Sequence, residues 1–134
     1  MIKRFILSAS AALAVGTLFL TNVNVAQGAP GSAANGKTVY NANCSACHGA
    51  AGTGTPGAFP PLAKNPHVTG DPKYVITTVL NGKTGSLTVN GQTYNGQMPA
   101  WKGKLSNQQI ADVITYIRSS WGNKASAVSA SDIK

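Results

Sequence analysis

Cys44-Ser45-Ala46-Cys47-His48 holds both cysteines of this 134-residue chain and one of its two histidines. Two thiols separated by two residues, with a histidine directly after, form the attachment pattern for a covalently bound haem. On a turn of helix the two sulfurs reach two vinyl groups of a porphyrin. His48 then projects an imidazole at the iron. Other readings of the stretch are a tight disulfide, a thioredoxin-like redox pair and half of a zinc site. A redox pair wants a βαβ setting, and none surrounds it. A four-ligand zinc site needs two more donors, and beyond this stretch the chain offers only His67 and three Asp, with no Glu. Haem c, one per chain, is the cofactor the motif predicts.

Outward from the motif, the N-terminus has the layout of an export signal. Lys3 and Arg4 precede the apolar run Phe5 to Leu20, and small residues follow at Ala26 to Ala29. Residues 1–28 therefore read as a signal peptide, cut after Gly28 or Ala26. The competing reading is an uncleaved anchor, although the sixteen-residue run is short against the roughly 20 residues a span needs. Export places the protein in the periplasm, or on the membrane facing it if the leader is retained. The oxidising side is also where haem is attached to free thiols, and there is no third cysteine to build a disulfide framework.

Without residues 1–28 about 106 residues remain, and removing Lys3 and Arg4 takes the formal charge from +8 to +6. Two haem propionates lower that to about +4. A domain this small buries a modest core, and a covalent haem supplies missing apolar volume. Nucleic acid does not fit an exported chain without Arg clusters. The basic balance is read first as fitting a redox partner with an acidic docking surface, with a membrane surface and an ordinary solvated surface as the alternatives.

In chain order, Ser32 to Asn43 predicts a first helix with Gly36, Val39 and Tyr40 on one side. The Gly- and Pro-rich stretch Gly49 to Gly57 predicts a loop. Pro60 stands twelve residues after His48, placed to offer a carbonyl to the second ring nitrogen, unless Pro60 and Pro61 only stiffen the loop. Asp71-Pro72 is a helix start, Val75, Ile76, Val79 and Leu80 share a face, and Gly82 is the stop. Asn90-Gly91 predicts a short hairpin at the solvent edge within Ser86 to Tyr94. A last helix runs from Ser106, with Gln109 as capping-box partner and a stripe of Ile110, Val113, Ile114 and Ile117, to a stop at Gly122. Residues 123–134 read as a flexible tail, which leaves 29–122 as the folded domain.

The sixth position on the iron separates electron transfer from ligand chemistry. Met98, followed by Pro99, is the one methionine besides Met1. A thioether opposite imidazole favours the ferrous state and raises the potential. His67 competes for the position, although it reads as a surface-loop histidine. Leu62 would pack on the porphyrin. Trp101, Tyr74 and Tyr94 are candidate donors to the propionates, or else core.

These residues together resemble a class I c-type cytochrome over roughly 33–122. The resemblance rests on Gly36 and Tyr40 before Cys44, the Cys44-to-His48 motif, Pro60-x-Leu62, Met98-Pro99, and Val113 with Tyr116-Ile117. The segments Gly96 to Trp101 and Thr115 to Asn123 are similar to those of bacterial periplasmic mono-haem cytochromes. The resemblance implies an all-α fold of three to four helices around one haem, with the first and last helices crossing at Gly36 beside Tyr40, Val113 and Tyr116. It implies a non-enzymatic electron carrier. A haem enzyme or ligand sensor with a labile sixth site, and a fixed cytochrome subunit of a dehydrogenase or reductase, are the alternatives. The first of these lacks a distal acid–base pair.

Overall fold

The computed structural model describes residues 28–134, so the leader read over 1–28 lies, apart from Gly28, outside the described residues. The chain runs α1 (Ala33–Asn43), α2 (Ser45–His48), α3 (Pro66–Thr69), α4 (Pro72–Asn81), an antiparallel pair β1 (Leu87–Val89) and β2 (Gln92–Tyr94), α5 (Asn107–Ser119), and a 3-10 turn at Ala130–Asp132. The fold is small and mostly helical, as the sequence predicts, with α2 and α3 as single turns.

The crossing of α1 on α5 sets the architecture. Gly36 is buried there, and a Cβ on it would overlap the Asp112 carbonyl and lie 2.7 Å from Tyr116 Cβ. Glycine is a poor helix former, yet only its missing side chain lets the backbones approach this closely. Ser32 caps α1 by accepting from the Asn35 amide at 3.3 Å, and its own amide donates to Asp112 Oδ1 at 2.7 Å. One turn beyond Gly36, the fully buried Tyr40 ring lies 5.4 Å from Tyr116 and 5.1 Å from Trp121. Such aromatic pairs are worth about 1 kcal/mol each beyond their buried area. The Tyr40 hydroxyl donates to the Gly49 carbonyl at 2.7 Å, which ties the exit of the Cys44–His48 turn to the crossing. Burial pushes this phenol well above its ordinary pKa, so it remains a neutral donor.

The other start signals act as the sequence predicts. Ser106 and Gln109 form a reciprocal capping box on α5, whose Ile110, Val113, Ile114 and Ile117 are buried. Asp71 caps α4 by accepting from the Lys73 amide at 2.9 Å, with Pro72 in the first helical position. Asn90 and Gly91 both have positive φ, 50° and 82°, as the tight turn between β1 and β2 requires. The hairpin is not wholly a solvent-edge feature, since Val89 and Tyr94 are buried. The single turn α3 is an addition: Asn65 accepts from the His67 amide at 2.9 Å and Pro66 follows it. His67 thus lies on a helical turn and not in an open loop.

Residues 123–134 are a correction, because they are packed and not a free tail. Val128 and Ile133 are 1% and 3% exposed and belong to the core. Thr115 Oγ1 stands in for a strand partner, donating to the Val128 carbonyl at 3.3 Å and accepting from the Val128 amide at 3.0 Å. The same segment meets the start of the domain, with the Gly31 amide donating to Val128 O at 2.8 Å. Arg118, buried on α5, donates to the carbonyls of Ser126 at 2.9 Å and Val68 at 2.6 Å. α5 also ends earlier than Gly122. It stops at Ser119, after which Ser120 is extended and Trp121 and Gly122 take positive φ. Val128→Ala should cost about 2 kcal/mol, read as a lower thermal midpoint with an unchanged visible spectrum. A wild-type midpoint would show that the segment contributes no stability.

Candidate functional site

The motif turn grows out of α1. The Cys44 amide still bonds to the Tyr40 carbonyl at 2.8 Å, and the His48 amide bonds to the Cys44 carbonyl at 3.0 Å. No disulfide joins Cys44 and Cys47, and both are partly exposed. Burial, with Cys47 close by, pushes the Cys44 thiol up to about 11. His48 is buried, and its Nδ1 lies 2.9 Å from the Pro60 carbonyl. An imidazole that donates from Nδ1 carries its lone pair on Nε2. Burial lowers the His48 pKa, with the Pro60 contact opposing the shift, which favours the neutral ring a metal requires.

The Gly-rich loop brings Pro60 back to His48. The Gly54 amide bonds to the His48 carbonyl at 2.8 Å, and the amides of Leu62 and Ala63 bond to the Gly52 carbonyl at 2.8 and 2.9 Å. Gly54 has φ of 70°, and a Cβ there would overlap the Phe59 carbonyl. Asn123, which sequence reasoning left in the tail, holds this loop from outside. Its side-chain amide donates to Leu62 O at 2.9 Å and Ile117 O at 2.7 Å, and its oxygen accepts from the Lys64 amide at 2.8 Å. A signal for it was present, since Asn123 ends the segment Thr115 to Asn123 on which part of the resemblance rests.

Met98 arrives from the other side. Its amide donates to Lys83 O at 2.9 Å and its carbonyl accepts from the Lys83 amide at 3.0 Å. The amides of Trp101 and Lys102 then bond to the carbonyls of Val79 and Leu80 on α4 at 3.0 and 3.1 Å.

One cavity gathers these segments. Cys44, Cys47, His48, Pro60, Leu62, Met98 and Trp101 all line it, with Val75 and Val79 of α4 and Val113 and Ile117 of α5 forming apolar walls. It leaves about 1220 Å³ unfilled, counting its open mouth. His67, Tyr74 and Tyr94 border it too, in different states. Tyr94 is buried and its hydroxyl donates to Gln92 at 3.1 Å, so that donor is already engaged. Tyr74 is 37% exposed and stacks on His67 with centroids 4.9 Å apart. The Nε2 of His67 is 3.3 Å from the Thr88 carbonyl, which leaves that nitrogen turned to the hairpin.

This donor set fits a haem. Among the described residues no three His, Cys, Asp or Glu side chains converge to hold a bare ion. Two thiols one helical turn apart, an imidazole and a thioether instead border one largely apolar slot.

Comparison with known proteins agrees with the geometry. Residues 33–121 match the family model for cytochrome c. Over 96 residues the chain is 40% identical to cytochrome c-552 of Thermus thermophilus, covering 67% of this chain and 70% of that protein. It is 45% identical over 101 residues to the cytochrome c subunit of a quinone alcohol dehydrogenase of Gluconobacter oxydans, covering 74% of this chain but 21% of that subunit. It is 33% identical over 115 residues to the CcoP subunit of a cbb3-type cytochrome c oxidase of an Azospirillum species, covering 35% of that subunit. The chain therefore spans most of the first relative and a minor part of the other two.

Proposed function

The chain belongs to the cytochrome c family, and we propose that Cys44 and Cys47 hold one haem c by thioether links while His48 and Met98 bind its iron. Its function is electron transfer, and its cofactor is haem c. When bound, the haem supplies a one-electron ferric–ferrous couple. The observation that carries the ligand reading is the 2.9 Å contact from His48 Nδ1 to Pro60 O, in a cavity that Met98 also lines. Pro60 fixes the imidazole's orientation and raises its basicity. The thioether of Met98 would hold the iron without adding charge, and a saturated ligand set of this kind suits one-electron chemistry. Val75, Val79, Val113 and Ile117 wall the slot with apolar surface that would exclude water, and Leu62, lining the same space, would pack on a macrocycle bound there. Trp101 borders the same space and is the better of the three aromatic candidates for a propionate donor, because Tyr94 is engaged and Tyr74 is exposed.

The protein acts as an exported carrier, in the periplasm or tethered to the membrane facing it, and not as an enzyme in its own right. Among the described residues no helix is long and apolar enough to cross a membrane. A fixed cytochrome subunit is the second reading, favoured by the relatives that are subunits of a dehydrogenase and an oxidase. Size exclusion of the native exported fraction distinguishes a free carrier from a subunit. A visible spectrum and intact mass of the exported protein test the rest: a mass without covalent haem, or ready carbon monoxide binding by the reduced form, would sink it.

The partner reading rests on charge. Lys102 and Lys104 are exposed beside the cavity, and the Lys104 ammonium lies 5.7 Å from the Trp101 ring centroid. They orient a redox partner with an acidic docking surface. Lys102→Glu with Lys104→Glu should slow electron exchange with a physiological partner by about tenfold at low salt, and less at high salt. Equal rates at low salt would remove both lysines from docking.

A further inference from the structure

We infer that Gly82 is a positioning residue for Met98, and that the end of α4 forms a backbone clamp which holds the thioether over the iron. The inference rests on the reading of Met98 as axial ligand and deepens it. Gly82 has φ of 73° and ψ of −176°. That is a region of backbone space open in practice to glycine alone. Its amide closes α4 by donating to Thr78 O at 2.9 Å. A Cβ at this position would overlap the Met98 carbonyl and lie 2.9 Å from Ala100 N and 3.0 Å from Pro99 C. Glycine here therefore does two things: it ends the helix, and it admits the Met98–Ala100 backbone to van der Waals contact with the helix end.

Four hydrogen bonds close the clamp around that contact. Lys83 and Met98 exchange both of theirs, at 2.9 and 3.0 Å, and Trp101 and Lys102 donate to Val79 and Leu80. Pro99 cannot donate, so the pattern spans it, using Met98 on one side and Trp101 on the other. Met98 lies in no helix or strand of its own. Met98 packs against the core, but without the clamp the backbone that carries it would have to be ordered on ligation, and that entropy would weaken an iron bond. With the clamp, the segment is pre-organised on the rigid helix whose Val75 and Val79 line the same cavity.

The test is Gly82→Ala in the haem-loaded protein, read by the weak long-wavelength band of thioether–ferric haem and by imidazole affinity. Gly103→Ala is the matched control. Gly103 also has a positive φ, 77°, but a Cβ on it meets nothing within 4 Å. The expected result is that Gly82→Ala loses most of the sulfur band and binds imidazole at least tenfold more tightly, while Gly103→Ala stays within twofold of wild type. Wild-type behaviour in Gly82→Ala, or an equal loss in both variants, overturns the inference and leaves Met98 ligation standing. A wild-type protein without the sulfur band overturns Met98 ligation itself, and this inference with it. If Gly82→Ala yields no holoprotein, amide exchange on wild type decides. Saturating imidazole should speed exchange of the Lys83, Met98, Trp101 and Lys102 amides by at least tenfold; unchanged protection overturns the coupling.

Discussion

Met98→Ala should yield a protein that still carries covalent haem but has lost the sulfur–iron band. In the reduced form it should bind carbon monoxide readily. Its midpoint potential should fall by on the order of 100 mV, since thioether ligation is what favours the ferrous state opposite imidazole. The attachment site is untouched, because Cys44, Cys47 and His48 sit on a turn that continues α1, far in sequence from Met98. The substitution thus separates holding the haem from tuning it. Unchanged absorption and potential would show that the iron is ligated otherwise. His67 would be the first residue to examine, although its Nε2 is turned toward Thr88 O.

Gly36→Ala is the variant expected to cost most in stability. Adding one methyl forces the Asp112 carbonyl and Tyr116 Cβ away from α1, and neither belongs to a flexible side-chain end. Over-packing of a tight contact costs about 3 kcal/mol. For a domain of this size that is a fall of roughly 10–20 °C in the thermal midpoint. The loss should spread to the Tyr40–Tyr116–Trp121 cluster, seen as a change in aromatic circular dichroism. A fall of less than 2 °C would mean that the helices part at almost no cost, and that the crossing does not carry the fold.

Most elements around these residues were legible because their signals are local. The Asp71-Pro72 start, the Ser106–Gln109 box and the Asn90-Gly91 turn each depend on residues within a few positions of one another. The C-terminal segment was not legible in the same way. Its Ala and Ser residues carry little periodicity, and what buries Val128 and Ile133 is α5 and the start of the domain, distant in sequence. A weak local sign existed in the Ser129–Asp132 capping box. It marks a turn, however, and says nothing of burial. Asn123 is similar, because its hydrogen bonds reach back to Lys64 and Leu62 across some sixty positions.

The attachment pattern at Cys44 to His48 was readable from the chain alone, since the spacing of a motif is a covalent property that any fold must honour. The sequence by itself also determined the helix starts and the hairpin turn, which follow from backbone hydrogen bonds only a few residues in reach. Tertiary structure decided the rest. It brought Met98 and Pro60 to the same cavity as His48, turned His67 toward the hairpin, and drew residues 123–134 onto α5. These outcomes depend on which surfaces meet, and close approach at Gly36 and Gly82 governs that meeting. Packing between distant segments is cooperative, so no local stretch specifies it alone.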